Sequence, residues 1–96
     1  MKIRIGTSAA EHIIQKHGIL PHEIDEAAGD HGRILLHAKH GYYSILARTN
    51  EGRYLNIFVE IINPALADLV SARNMKPIEK RHYRKHSKTR KDDGDE

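Results

Sequence analysis

Two stretches near the start of the chain repeat apolar residues with the period of an α-helix. In GTSAAEHIIQKHG, the spacing i, i+3, i+4, i+7 is occupied by Ala10, Ile13, Ile14 and His17. Ser8 and Glu11 have the spacing of a capping box, and Gly18 is well placed to end this helix. In LPHEIDEAAGD, Pro21 suits a first turn and Gly29 a stop. The pattern predicts a hairpin of two short helices.

After residue 32 the hydrophobic period changes to two, which is typical of strands. Four segments fit: RILLHA (33–38), YYSILART (42–49), RYLNIFVEII (53–62) and LADLVSAR (66–73). No helix-sized segment separates them, so an antiparallel meander is expected. KIRI (2–5) also alternates and allows a short leading strand.

The segment KPIEKRHYRKH (76–86) predicts a last helix in which Ile78 and Tyr83 are nearly the only apolar residues. The expected fold class is therefore α+β, with two N-terminal helices packed on a roughly four-stranded antiparallel sheet and a C-terminal helix after it. We expect a single domain over residues 1–86 and a disordered charged tail over residues 87–96.

Strand alternation also predicts the two faces of the sheet. In the third strand, the residues that should pack under the N-terminal helices are Leu55, Ile57, Val59 and Ile61. The same parity puts Val70 and Ala72 on the helix-covered face. The open face would then display Arg48, Glu60, Ser71 and Arg73. Such a face could be a functional site, or Glu60 and an arginine could form an ordinary cross-strand pair.

Charge is distributed unevenly along the 96 residues. Residues 1–75 hold eight Lys/Arg and eight Asp/Glu, whereas residues 76–91 hold eight Lys/Arg and one acid, and residues 92–96 add four acids. A neutral body with a cationic arm indicates a polyanionic partner, although a solvated tail has the same composition. The chain has no cysteine, no apolar run long enough for a bilayer and no secretory signal pattern, so we expect a cytoplasmic protein.

Four short segments, taken in their order along the chain, resemble the BrnT family of bacterial toxins. They are Lys16-His17-Gly18, Gly52-Arg53, Ser71-Ala72-Arg73 and Glu79 to Tyr83, and the resemblance covers about residues 8–86. It implies a RelE-like fold, ribonuclease activity and neutralisation by a cognate antitoxin, which is expected to be a small DNA-binding protein. Cleavage by this fold needs no metal, because the 2′-hydroxyl of RNA attacks the adjacent phosphorus and the 5′-oxygen leaves.

The resemblance and the charge pattern give roles to particular residues. Arg73 would clamp the transition state, because a guanidinium matches a phosphoryl group in bidentate geometry. Glu60 or His17 could be the base, and Tyr83 could stack on a nucleobase or contact phosphate. The remaining catalytic candidate is Arg48, as a ligand of substrate phosphates. Further nucleic-acid-binding candidates are Lys16, Arg53, Lys76, Lys80, Arg81, Arg84 and Lys85.

Each of three candidates also has a structural interpretation. His17 would offset a helix dipole, Tyr83 would anchor a thin helix, and Arg53 would simply be exposed. His82 and His86 have i, i+4 spacing but no third ligand in sequence, so we expect neither a metal nor another cofactor. The alternative functions are a non-catalytic nucleic-acid-binding module and a protein-interaction module of the same fold.

Overall fold

A computed structural model describes residues 2–87 and shows an α+β fold. The elements in chain order are β1 (Lys2–Arg4), α1 (Thr7–His17), α2 (Pro21–Ala28), β2 (Ile34–His37), β3 (Tyr43–Arg48), β4 (Tyr54–Asn63), β5 (Leu66–Asn74) and α3 (Pro77–His86). A 3-10 turn at Lys39–Gly41 joins β2 to β3. The predicted helix hairpin, strand meander and last helix are all confirmed.

The sheet has five strands in the order β1-β5-β4-β3-β2. The four strands β2 to β5 form the antiparallel meander, and β1 adds to β5 in parallel. The leading strand at 2–5 is therefore real, but it makes the sheet mixed rather than purely antiparallel. Its Arg4 forms a two-bond ion pair with Asp68 of β5 at 2.6 and 2.9 Å.

Two apolar clusters lie on opposite faces of the sheet. On one face, Ile13 of α1, Ile24 of α2 and Ile19 of the connection between them pack on the strand residues Leu55 and Ile57, and all five are fully buried. On the other face, the buried side chains are Leu46, Met75 and Tyr83. The order of layers is therefore α1 and α2, then the sheet, then α3 on the face predicted to be open.

A β-bulge changes the register where β4 meets β5. Phe58 pairs with Ser71, but the next residue, Val59, pairs with Leu69. Val70 is thus the extra residue and is exposed, while Leu69 is buried. The prediction that Val70 lies under the helices is wrong, because simple alternation does not reveal an inserted residue.

The two ends of α1 differ in how well they were predicted. The helix begins at Thr7 with Gly6 as N-cap, so Ser8 lies inside it and makes no cap hydrogen bond. At the other end Gly18 is left-handed, with φ of 64°, and its N–H donates to the carbonyl of Ile14 at 3.0 Å.

Of the tail predicted to be disordered, Ser87 is buried and donates its N–H to the Tyr83 carbonyl, and residues 88–96 lie outside the described part of the chain.

Candidate nucleic-acid interface

Arg73 is held rigidly between the sheet and α3. Its guanidinium donates two hydrogen bonds to the carboxylate of Glu79, at 2.9 and 2.8 Å. The Asn56 side chain donates to the same carboxylate at 3.1 Å and in turn accepts a hydrogen bond from the hydroxyl of Ser44. Because Asn56 and Ser44 are buried in the sheet, this chain of bonds fixes the orientation of the guanidinium.

Glu79 occupies a position where two effects favour its negative charge. Arg73 is the larger effect, and the backbone N–H of Lys76, the N-cap of α3, donates to Glu79 at 2.9 Å. Together with the Asn56 amide they lower the pKa of Glu79 to about 2. Glu79 is therefore ionised at neutral pH, where it orients Arg73 and is a poor proton acceptor.

Arg73 faces an open concavity of about 540 Å³. Its lining includes Ser71 and the ring of Phe58, which lies 5.4 Å from the Arg73 guanidinium carbon. The 3-10 turn between β2 and β3 contributes Lys39 and His40 to the same lining. The concavity thus combines groups suited to RNA, namely a fixed guanidinium, a lysine ammonium, an imidazole and an aromatic ring.

Glu60 does not reach this concavity, and the prediction that it converges with Arg73 is wrong. Arg73 pairs across the strands with Asn56, whereas Glu60 pairs with Asp68. Glu60 lies four positions after Asn56 in β4, or about 13 Å along the strand. The two residues share a face, as parity predicts, but parity says nothing about position along a strand.

Tyr83 does not lie at the rim of a site, because it is the buried anchor of α3. It is 1% exposed, and its hydroxyl donates to Asp30 at 2.6 Å. Burial, with the Asp30 hydrogen bond second, raises the pKa of Tyr83 above its ordinary value. The structural interpretation of Tyr83 is confirmed, and its proposed contact with RNA is excluded by its burial.

Arg53 is also occupied within the fold. It pairs with Glu23 at 2.9 Å, donates to the carbonyls of Gly18 and His17 at 3.0 and 3.2 Å, and donates to Asn74 at 2.9 Å. The guanidinium therefore joins the end of α1 to α2 and β5. With its donors engaged, Arg53 has little left to offer a phosphate, so its predicted binding role does not fit this geometry.

His17 and Lys16 lie in the last turn of α1, which packs on the face of the sheet opposite α3. The sheet therefore separates both residues from Arg73, and His17 cannot act as base in the Arg73 concavity. Its ring instead contacts that of His12, with ring centroids 5.8 Å apart.

Arg48 lies on the other flank of α3, near Tyr54. Arg84 and Lys80 lie over the Tyr54 ring at 5.3 and 5.5 Å from its centroid. Arg84, the larger effect, and Arg48 lower the pKa of the Tyr54 hydroxyl. The remaining predicted cations, Arg81 and Lys85, face outward from the same helix and line a groove with Lys80 and Arg84.

Several residues of this surface, among them Asp30, Phe58 and His40, have roles that the sequence did not indicate. Asp30 accepts hydrogen bonds from Tyr83 and from the backbone N–H of Arg48 at 2.9 Å, so it attaches α3 to the sheet. Phe58 has the parity of Asn56, which places it on the face opposite α1 and α2 but does not indicate its contact with Arg73. His40 has a φ of 62°, which no simple pattern predicts, although histidine tolerates this region better than most residues.

Metal ligands and membrane-spanning helices were sought in the same part of the chain. Residues 2–87 contain no group of three or more His, Asp or Glu side chains that could hold a metal ion. His82 and His86 have ring centroids 4.5 Å apart on α3. None of the helices described has the length and apolar character needed to cross a membrane.

In sequence comparisons, no protein-family model and no curated protein matches the chain. The features of the molecule that bear on function are the Arg73 concavity and the cations of α3.

Proposed function

We propose that this protein is a metal-independent endoribonuclease of the toxin type, acting in the cytoplasm on RNA and neutralised by a cognate antitoxin. The observation that carries the proposal is the fixed guanidinium of Arg73, which borders a concavity beside Phe58. Preorganised donors of this kind stabilise the charge that develops on a phosphorane. The resemblance to the BrnT family agrees with this chemistry.

In the proposed reaction, the 2′-hydroxyl attacks phosphorus, and the 5′-oxygen leaves as the 2′,3′-cyclic phosphate forms. Arg73 and Lys39 would stabilise the phosphorane oxygens, while Glu79 keeps Arg73 in place. Proton transfer would fall to His40, because imidazole accepts and donates protons near neutral pH. Phe58 would support a nucleobase or ribose next to the scissile phosphate.

The test is cleavage of a fluorescent single-stranded RNA by purified protein in the presence of EDTA. Arg73→Ala should slow cleavage by about 10²–10³-fold, as removal of one preorganised donor does in other enzymes. Arg33→Ala is the matched control, since it removes one exposed arginine on the α2–β2 connection. Equal cleavage by wild type and Arg73→Ala would contradict the proposal.

Arg73→Ala should also lower stability, because Glu79 loses two charge-assisted hydrogen bonds. We expect a loss of about 1–2 kcal/mol, since both side chains are partly exposed. Urea unfolding of the variant would show whether its fold persists under assay conditions. The Arg73→Lys variant keeps the charge without the bidentate geometry and should restore binding more than cleavage.

A non-catalytic RNA-binding module is the second candidate. Two observations favour it: Glu79 already neutralises Arg73, and Glu60 lies too far away to act as a base. In that case purified protein binds RNA without cleaving it, and Arg73→Ala changes affinity alone. Growth arrest on expression, abolished by Arg73→Ala, would support the toxin instead.

The antitoxin part of the proposal depends on the cations of α3. An acidic protein that covers Lys80, Arg81 and Arg84 would both neutralise the charge and block RNA. Pull-down from the native host should recover a small partner that competes with RNA. A partner that binds together with RNA would favour the protein-interaction module.

A further inference from the structure

Three cations converge on one phenol on the flank of α3 opposite the Arg73 concavity. Tyr54 and Arg48 are cross-strand partners in the β3–β4 hairpin. Lys80 and Arg84, one helical turn apart, reach over the Tyr54 ring from α3. We call Arg48, Tyr54, Lys80 and Arg84 the Tyr54 cluster.

Within residues 2–87 the cations of the Tyr54 cluster form no ion pair, and the nearby Asp30 carboxylate accepts from the backbone N–H of Arg48 rather than from its guanidinium. Elsewhere in residues 2–87, Arg4, Arg53 and Arg73 each pair with a carboxylate. Arg48 is only half exposed, so solvent screens it less than a surface cation.

Two members of the Tyr54 cluster, Lys80 and Arg84, also line a groove on α3 that has room for a ligand, whereas Arg48 and Tyr54 are not among its lining residues. It has a volume of about 470 Å³ and is lined by Pro77, Lys80, Arg81, Arg84 and Lys85, without an acidic residue. Two cations already lie over the Tyr54 ring, which leaves that side of the ring unavailable for stacking on a base. A phosphate group is the ligand that matches the two guanidinium groups, the ammonium and the phenol hydroxyl.

We infer that the Tyr54 cluster binds a phosphate group of an RNA strand, as a second anchor separate from Arg73. This inference rests on the proposed function in so far as the ligand is RNA. Arg48 and Arg73 belong to β3 and β5, on either side of β4, with backbone positions about 12 Å apart. A strand that contacts both must pass α3, so the Tyr54 cluster contributes to affinity and positioning, while Arg73 acts on the scissile phosphate.

The first experiment uses inorganic phosphate and does not depend on RNA activity. In NMR spectra of the full chain, phosphate should shift the Tyr54 ring signals saturably, and Arg48→Gln/Arg84→Gln should abolish this shift. Signals of Tyr43, on the other face of the sheet, should stay unchanged. No saturable shift at Tyr54 would overturn the inference, whatever the protein does with RNA.

The second experiment measures RNA affinity as a function of salt. Arg48→Gln/Arg84→Gln should weaken binding about tenfold and reduce the salt slope by about 0.7, the value for one phosphate contact on a single strand. The matched control is Lys2→Gln/Arg33→Gln, which removes two exposed cations away from α3. Equal losses in both variants would mean a diffuse charge effect and would overturn the inference.

The same variants separate this inference from the proposed function. The double variant Arg48→Gln/Arg84→Gln should raise KM and keep kcat within about threefold of wild type. The reason is that it removes an interaction that is equally strong in the ground state and in the transition state. Oligonucleotides with a 5′-phosphate and with a 5′-hydroxyl then distinguish a terminal phosphate from an internal phosphodiester. A wild-type protein that shows the phosphate shift but no RNA binding would refute the proposed function and leave the phosphate site established.

Discussion

At the residue scale, His40 holds the least common backbone conformation among the non-glycine residues described. Its φ of 62° lies in the left-handed region, where a side chain costs energy that glycine avoids. The strained turn brings His40 to the lining of the Arg73 concavity. A strained backbone conformation beside the Arg73 concavity is a reason to test His40 for a role in RNA cleavage.

His40→Gly separates the two properties of this residue. Glycine should keep stability equal or raise it by up to about 1 kcal/mol, because the left-handed backbone is then unstrained. RNA cleavage should fall by about 10²-fold or more if the imidazole transfers protons. The measurements are urea unfolding and the pH profile of cleavage, with His82→Gln as control. An unchanged pH profile in His40→Gly would remove His40 from the mechanism.

Glu79 gives the fold a defined acid sensitivity. Its pKa of about 2 in the folded protein lies below the ordinary value of 4.5, so the stability it contributes is present above pH 4.5 and is lost as the pH falls toward 2. The size should be on the order of 2 kcal/mol after allowance for partial exposure. Glu79→Gln should therefore differ from wild type at pH 6 and converge with it near pH 2. Glu51→Gln, at an exposed turn, is the matched control that removes a carboxylate away from Arg73.

At the scale of elements, Arg53 connects the helix layer to the sheet. Arg53→Ala should lower the free energy of unfolding by about 2–3 kcal/mol, because Glu23 loses its charged partner and the carbonyls at the end of α1 lose their side-chain donor. RNA affinity should change no more than in Lys2→Gln. Arg53→Lys should recover only part of the stability, since an ammonium lacks the fork of donors. A large loss of RNA affinity in folded Arg53→Ala would return Arg53 to the binding surface.

The sequence predicts elements better than it predicts contacts between them. The strands and α3 were predictable because their periods and proline positions are local. The parallel partner of β1 was not, since β1 pairs with a strand more than sixty residues later. Arg73 was correctly assigned to the α3 face, but its partner Glu79 comes from the next element, and the parity of strands contains no information about a helix that follows them.

At the scale of the whole molecule, two groups of cations stand out among residues 2–87. Paired arginines hold the fold together, whereas the α3 face carries unpaired cations at Arg48 and along the helix. RNA binding should therefore weaken on the order of 10²-fold between 50 and 200 mM salt, as expected for about five phosphate contacts on a single strand. Fluorescence anisotropy at several salt concentrations would measure this slope. A flat dependence would rule out an interface built on phosphate contacts.

The parallel pairing of β1 with β5 also has a consequence for how the chain folds. The β2–β3, β3–β4 and β4–β5 pairs each join neighbouring segments and close small loops. Residues 2–4 instead pair with residues 66–68, so the β1 edge of the sheet can form only when most of the chain is available. Such non-local closure slows folding relative to the hairpins. During synthesis the meander can assemble first, with the N-terminal segment as the last strand to join.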